Sequence, residues 1–208
     1  MTPYATRLLV LGVVRIFEPA HGYLLLQELN SWRVDQWANV KPGSIYSTLR
    51  TLSKDGLLHV VSTTEAAGSA AKTSYRTTPD GIAEFERLVK RSITDVGSPS
   101  IATTMSGIGF LPFLERAEVI ELFEQRQAAL AAESDSLHAA VRDFAETGPV
   151  APPHVVEQFH FLASQVRGNL DWTTGILGRL RSGAYSFRGE PPVWTPPEHD
   201  PIWGNRTF

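Results

Sequence analysis

The stretch Lys41-Pro42-Gly43-Ser44-Ile45-Tyr46-Ser47-Thr48-Leu49-Arg50-Thr51-Leu52-Ser53-Lys54-Asp55-Gly56 decides the fold. It predicts a helix of about three turns, the usual length in a globular protein. Pro42 suits the first helical position, where its missing N–H is no loss, and Asp55-Gly56 supplies a left-handed stop. Ile45, Leu49 and Leu52 recur at helical spacing and form a narrow apolar stripe. Ser44, Tyr46, Ser47, Thr48, Arg50, Thr51 and Lys54 occupy the other faces, and no acid stands between Asp35 and Asp55. Lys41 sits at the positive end of the helix dipole, an unfavourable place for a cation unless an anion docks there. A cationic, hydroxyl-rich face of this kind suits the reading of DNA; an ordinary solvated face is the alternative. Tyr46 can serve as a half-buried packing residue as well as a contact, and Arg50 has Asp55 and Glu28 as rival partners.

Upstream, residues 3–17 predict a helix apolar on more than one side through Leu8, Leu9, Leu11, Val14 and Phe17. That is the mark of a helix covered by several neighbours. Its apolar run, flanked by Arg7 and Arg15, is far short of the ~20 residues of a membrane span, and its context does not suit a signal peptide. Glu18-Pro19-Ala20-His21-Gly22 predicts a turn, with His21 capping or buttressing a second helix over residues 23–32. A polar connection holding Asn39 leads to the quoted helix.

Downstream, residues 57–64 and 73–78 are rich in β-branched side chains and read as two strands. The tip between them, 65–72, is too long for a tight hairpin turn and is expected to be flexible. Lys72 stands at its base, within reach of phosphate or the minor groove. Thr78 and Pro79 open a fourth helix. The expected fold is mainly α: an N-terminal winged helix-turn-helix with a two-stranded β-wing, followed by long helices.

Four fragments then fall in register: His21-Gly22-Tyr23; Pro42-Gly43-Ser44-Ile45-Tyr46-Ser47-Thr48-Leu49; Leu52-Ser53-Lys54-Asp55-Gly56-Leu57; and Tyr75-Arg76-Thr77-Thr78-Pro79-Asp80-Gly81. Together, over roughly residues 5–92, they resemble the PadR family of bacterial transcriptional regulators. The resemblance implies a homodimer that binds operator DNA through the winged helix and usually represses transcription, with room for a small-molecule effector. Carried across, Gly43, Ser44, Tyr46, Ser47 and Arg50 face the DNA, while Lys41, Lys54 and Lys72 anchor phosphates. The wing departs from the pattern in being Ala-rich and nearly uncharged apart from Lys72.

Composition agrees with this division. Of 208 residues 42% are apolar and 20% charged, ordinary for a globular protein, and the lack of cysteine excludes disulfides and thiolate chemistry. The net charge of −3 hides a split. Residues 1–95 carry eleven Lys and Arg against nine Asp and Glu, a net of +2, and residues 96–208 carry eight against thirteen, a net of −5. A mildly basic module is joined to an acidic one.

In the acidic half, residues 97–113 are rich in Ser, Thr and Gly; Ile101, Met105 and Ile108 permit a short helix that Gly107 and Gly109 weaken, and Ser106-Gly107-Ile108-Gly109 reads as a flexible linker. Two long helices follow, at about 115–146 and ending near 181. Phe123, Leu130, Leu137 and Phe144 repeat every seven residues; Phe159, Val166, Leu170 and Leu177 continue the seam on the second helix. Stripes on both arms are expected to need a partner chain, so these residues are assigned to dimerisation. The expected domains are 1–96 for DNA binding, 97–183 for dimerisation, and a Pro/Trp-rich tail at 184–208 whose Trp194 and Trp203 pack on something.

His154 and His160 do not share a helix face, so no metal site is expected, and no Gly-rich phosphate loop or convergent acid–base set points to a cofactor or an enzyme. The expected location is the cytoplasm. A winged helix used to bind another protein is the rival reading.

Overall fold

A computed structural model describes residues 3–64, 72–97, 101–146 and 152–194. The wing tip at 65–71 and Trp203 of the tail lie outside the described residues. The chain divides into two compact units, Met1–Phe113 and Leu114–Phe208.

The first unit is built on α1 (Pro3–Phe17), whose Leu8, Leu9, Leu11, Val14 and Phe17 are all buried. It is apolar all round because α2 (Gly22–Ser31), α4 (Pro42–Lys54), α5 (Pro79–Thr94) and α6 (Ile101–Ile108) each pack against it. His21 caps α2, its Nδ1 accepting the Leu24 N–H at 3.1 Å. The connection to α4 is not irregular throughout. It holds a short helix, α3 (Val34–Trp37), between Arg33 at φ 53° and Asn39 at φ 50°, with Val34 and Val40 buried.

The wing has three strands, not two. Strands β2 (Leu58–Thr64) and β3 (Lys72–Thr77) pair antiparallel, and β1 (Ala20–His21) adds to the other edge of β3, giving the order β1-β3-β2. The segment expected to be a turn is thus partly strand, with Ala20 opposite Tyr75 and His21 opposite Ser74. Glu18 makes this possible: its carboxylate accepts the Thr77 N–H at 3.1 Å and the Thr77 hydroxyl, holding the end of β3 beside α1. Two residues are too few to show the alternation by which a strand is recognised.

The short helix that Ile101, Met105 and Ile108 permit is formed as α6, and it runs through Ser106 and Gly107, which read as flexible linker. α6 packs on α5 and α1, and a Cβ on Gly107 would stand 1.7 Å from Ser92 Oγ, so the two helices touch through their smallest residues. Ser92 and Ser106 are buried without penalty, since each hydroxyl donates to a carbonyl of its own helix at 2.6 Å. Phe110 then enters a cluster with Trp32 and Phe85 at ring distances of 5.7 and 5.3 Å. The first unit accordingly extends to Phe113, beyond residue 96.

The second unit is a hairpin of α7 (Arg116–Glu146) and α8 (Val156–Arg181). Its cross-contacts run in opposite order along the two helices: Arg181 to Glu124, Phe123 to Trp172, Arg126 to Asn169, Phe144 to Phe159. The helices are therefore antiparallel, and each stripe faces the other. Phe123, Leu130, Val166 and Leu177 are buried within one chain, contrary to the expectation that a partner must cover them. Leu137, Phe159 and Leu170 are half-buried. Arg126, only 1% exposed, donates to Asn169 Oδ1 at 2.8 Å and lies over the Trp172 ring, and burial lowers its pKa.

Beyond α8 the chain is fastened by Arg116. Its guanidinium forms a two-pronged ion pair with Glu190, donates to the carbonyls of Leu180 and Tyr185, and covers the ring of buried Phe187. The paired guanidinium holds the Glu190 carboxyl below the usual carboxylate range. Trp194 is exposed.

Candidate nucleic-acid interface

α4 begins on Lys41, whose backbone is extended, and Pro42 takes the first helical position. Ser44 closes the first turn by itself: its hydroxyl accepts the Lys41 N–H at 3.1 Å and donates to the Lys41 carbonyl at 2.8 Å. Ile45, Leu49 and Leu52 are buried. At about 100° per residue, Gly43, Tyr46, Ser47, Arg50, Thr51 and Lys54 share the opposite arc, and all six are exposed. Lys41 is exposed as well, and Ser44 is half-buried. Lys72 pairs with Thr64 at the end of the wing ladder.

This arc carries positive charge without internal compensation. Asp55 is taken by Arg7, with Nη1 to Oδ2 at 3.0 Å, and Glu28 is buried, accepting from Trp32 Nε1 at 2.8 Å. Neither is bridged by Arg50, whose one bond among the described residues is long, 3.4 Å from Nε to the Tyr46 carbonyl. Arg7 also reaches Glu84 at 3.3 Å, and Glu84 pairs with Arg87 at 2.7 Å. The hydrogen bond from Arg87 keeps the Glu84 carboxyl below its ordinary pKa. These bridges tie the last turn of α4 to α1 and α5.

The hydroxyls are less free than the sequence suggests. Ser47 donates to the Ser44 carbonyl and Thr51 to the Ser47 carbonyl, both at 3.0 Å. In this arrangement they offer lone pairs, not protons, to an incoming group. Tyr46 packs and yet stays accessible. Its ring covers Gly22, where a Cβ would stand 2.3 Å from Cε1, while the residue is 41% exposed.

Two exposed residues escaped the sequence reading: Tyr23 and Gln27, on the neighbouring face of α2. The spacing of Tyr23, Gln27 and Asn30 would have marked that polar face. Among the described residues no group of three or more His, Asp or Glu could hold a metal ion, and no helix is long and apolar enough to cross a membrane.

Three helical segments leading to an exposed helix with a cationic face, then an antiparallel wing, define a winged helix-turn-helix protein. Residues 10–87 match the model of the transcriptional regulator PadR-like family, so the resemblance seen in the four fragments holds over the winged-helix segment. No curated protein matches the chain. Among solved structures it is similar to Bacillus subtilis PadR in complex with operator DNA, at 18% identity and a TM-score of 0.38 over 84% of this chain and 98% of that one. It is also similar to smu.1604c from Streptococcus mutans UA159, at 18% identity and 0.37 over 83% and 98%. For Bacillus subtilis PadR in complex with p-coumaric acid the values are 15% and 0.35 over 85% and 99%. No residue of this chain takes its role from those structures.

Proposed function

We propose that this chain is a sequence-specific DNA-binding transcriptional regulator, a repressor that binds a pseudo-palindromic operator as a homodimer in the cytoplasm. The observation that carries the reading is the acid-free, cationic exposed arc of α4, set on a rigid helical base within a PadR-like segment. Arg50 and Tyr46 reach base edges, and Lys41, Lys54 and Lys72 neutralise phosphates. Release by a small-molecule effector belongs to the proposal through the family resemblance alone.

The homodimer draws its support from the far half of the hairpin. Phe161 and Leu162 on α8 are 64% and 49% exposed, and no Asp, Glu, Lys or Arg stands between Glu157 and Arg167. Leu162 neighbours half-buried Phe159 on α8, half-buried Leu137 and Leu170 add apolar area elsewhere on the two helices, and the exposed pair suits a second copy. The buried members of the seam, Phe123, Leu130, Val166 and Leu177, support dimerisation only by shaping that surface.

The test is to select duplexes from a random pool and compete the enriched sequence against random DNA at moderate salt. Strong preference for an inverted repeat is expected. Equal affinity for both would favour a protein-interaction module, and sedimentation as a monomer at micromolar concentration would remove the dimer.

Gly43 offers a sharper check. Nothing lies within 4 Å of the place a Cβ would occupy, so no packing within the chain requires glycine there. A glycine in a helix costs about 0.5–1 kcal/mol relative to alanine. Gly43→Ala should therefore raise the melting temperature slightly while weakening duplex binding, because the added methyl group meets the DNA backbone at the helix N-terminus. Opposite signs in thermal melting and fluorescence anisotropy are the expected outcome; unchanged binding would place the DNA elsewhere.

A further inference from the structure

We infer that Tyr23, on α2 and outside the reading helix, is a phosphate contact that works through its hydroxyl, with Gln27 as its positioning residue. The inference rests on the DNA-binding reading above and extends it to a second helix.

Tyr23 is 58% exposed. Its place is fixed by its neighbours. Gly22 is pressed beneath the Tyr46 ring, which sets the start of α2 against the first turns of α4. His21, locked by its bond to the Leu24 N–H, stacks beside Tyr23 with ring centroids 6.5 Å apart and 22° between the planes. The phenol oxygen is held in turn, accepting from Gln27 Nε2 at 3.3 Å.

The chemistry of that bond selects the ligand. A phenol whose oxygen already accepts a hydrogen bond still has its own proton to give, and that proton suits an acceptor. Glu28 is the one acid between Glu18 and Asp35, and it is buried and engaged with Trp32. An exposed donor on a helix whose one acid is buried, beside a helix read as facing DNA, suits a phosphodiester oxygen. The contact is neutral on the protein side, which separates it from the lysines: it adds affinity without releasing counterions.

Both residues are exposed, so the test variants should fold as the parent does, with unchanged melting temperature as the control. With the enriched duplex and with random DNA, Tyr23→Phe is expected to weaken binding about tenfold on both, with the slope of affinity against salt unchanged. Gln27→Ala should lose less, and the double variant should bind like Tyr23→Phe alone, since Gln27 acts only through the hydroxyl. Parental affinity in Tyr23→Phe would overturn the inference while leaving the regulator reading intact. A loss confined to the enriched duplex would make Tyr23 a base reader and overturn the phosphate assignment. Failure of the parent to bind any duplex would remove both readings together.

Discussion

Replacing Gly81 with alanine should destabilise the winged helix severely, far more than the same change at Gly43. The added Cβ would stand 2.0 Å from the Leu57 carbonyl oxygen and 3.0 Å from its carbon. These are backbone atoms, and they cannot swing aside as a side-chain tip can. The same carbonyl accepts the Thr78 N–H at 3.0 Å, and the Thr78 hydroxyl donates to the Gly56 carbonyl at 2.8 Å while accepting the Gly81 N–H at 3.0 Å. Relieving the clash means lifting the first turn of α5 away from the exit of α4 and breaking this lock. Overpacking of that kind costs about 1–3 kcal/mol or more, enough to lower the first unit's melting temperature by roughly 10 °C or beyond. Helix propensity alone gives the opposite sign, so a melting temperature equal to or above the parent's would show that the close approach is not made.

Arg50→Ala should produce the largest loss in recognition. A guanidinium paired with the acceptors of a guanine contributes about 1–3 kcal/mol of discrimination, so affinity for the enriched duplex should fall roughly 10- to 100-fold while affinity for random DNA falls much less. The fold should be untouched, because Arg50 is exposed and its bond to the Tyr46 carbonyl is long. Lys41→Ala makes the contrast: removing a phosphate anchor weakens binding to all sequences alike and makes the salt dependence shallower by about one unit for each phosphate no longer neutralised. Competition titrations at several salt concentrations separate the two. If neither variant alters binding, α4 is not the reading helix.

The main helices were legible because their signals are local. Pro42 and Gly56 bracket α4, Thr78 and Pro79 open α5, and the apolar repeats of α7 and α8 extend over many turns. What escaped depends on residues remote in sequence. Ala20 and His21 form a strand only because β3 leaves an edge for them and Glu18 holds its end. Gly107 reads as a helix breaker until Ser92 on α5 is brought against it, where a glycine is what the spacing demands. The seam residues showed their periodicity clearly, but periodicity does not say whether the covering stripe belongs to another chain or to the next helix. In the interface, the cationic arc was visible from the missing acids between Asp35 and Asp55. The engagement of the Ser47 and Thr51 hydroxyls with their own helix was not.

That self-covered seam bears on how the protein would respond to its own abundance. With Phe123, Leu130, Val166 and Leu177 already covered within one chain, the second unit keeps its core when the chain is alone. A pair joined through Phe161 and Leu162 would then assemble and separate without unfolding, unlike an obligate dimer whose stability is inseparable from protomer concentration. Below the pair's dissociation constant, occupancy of a two-half-site operator would rise with the square of the chain's concentration; above it, only in proportion. Modest changes in synthesis or turnover would be felt steeply at the operator, with no ligand involved.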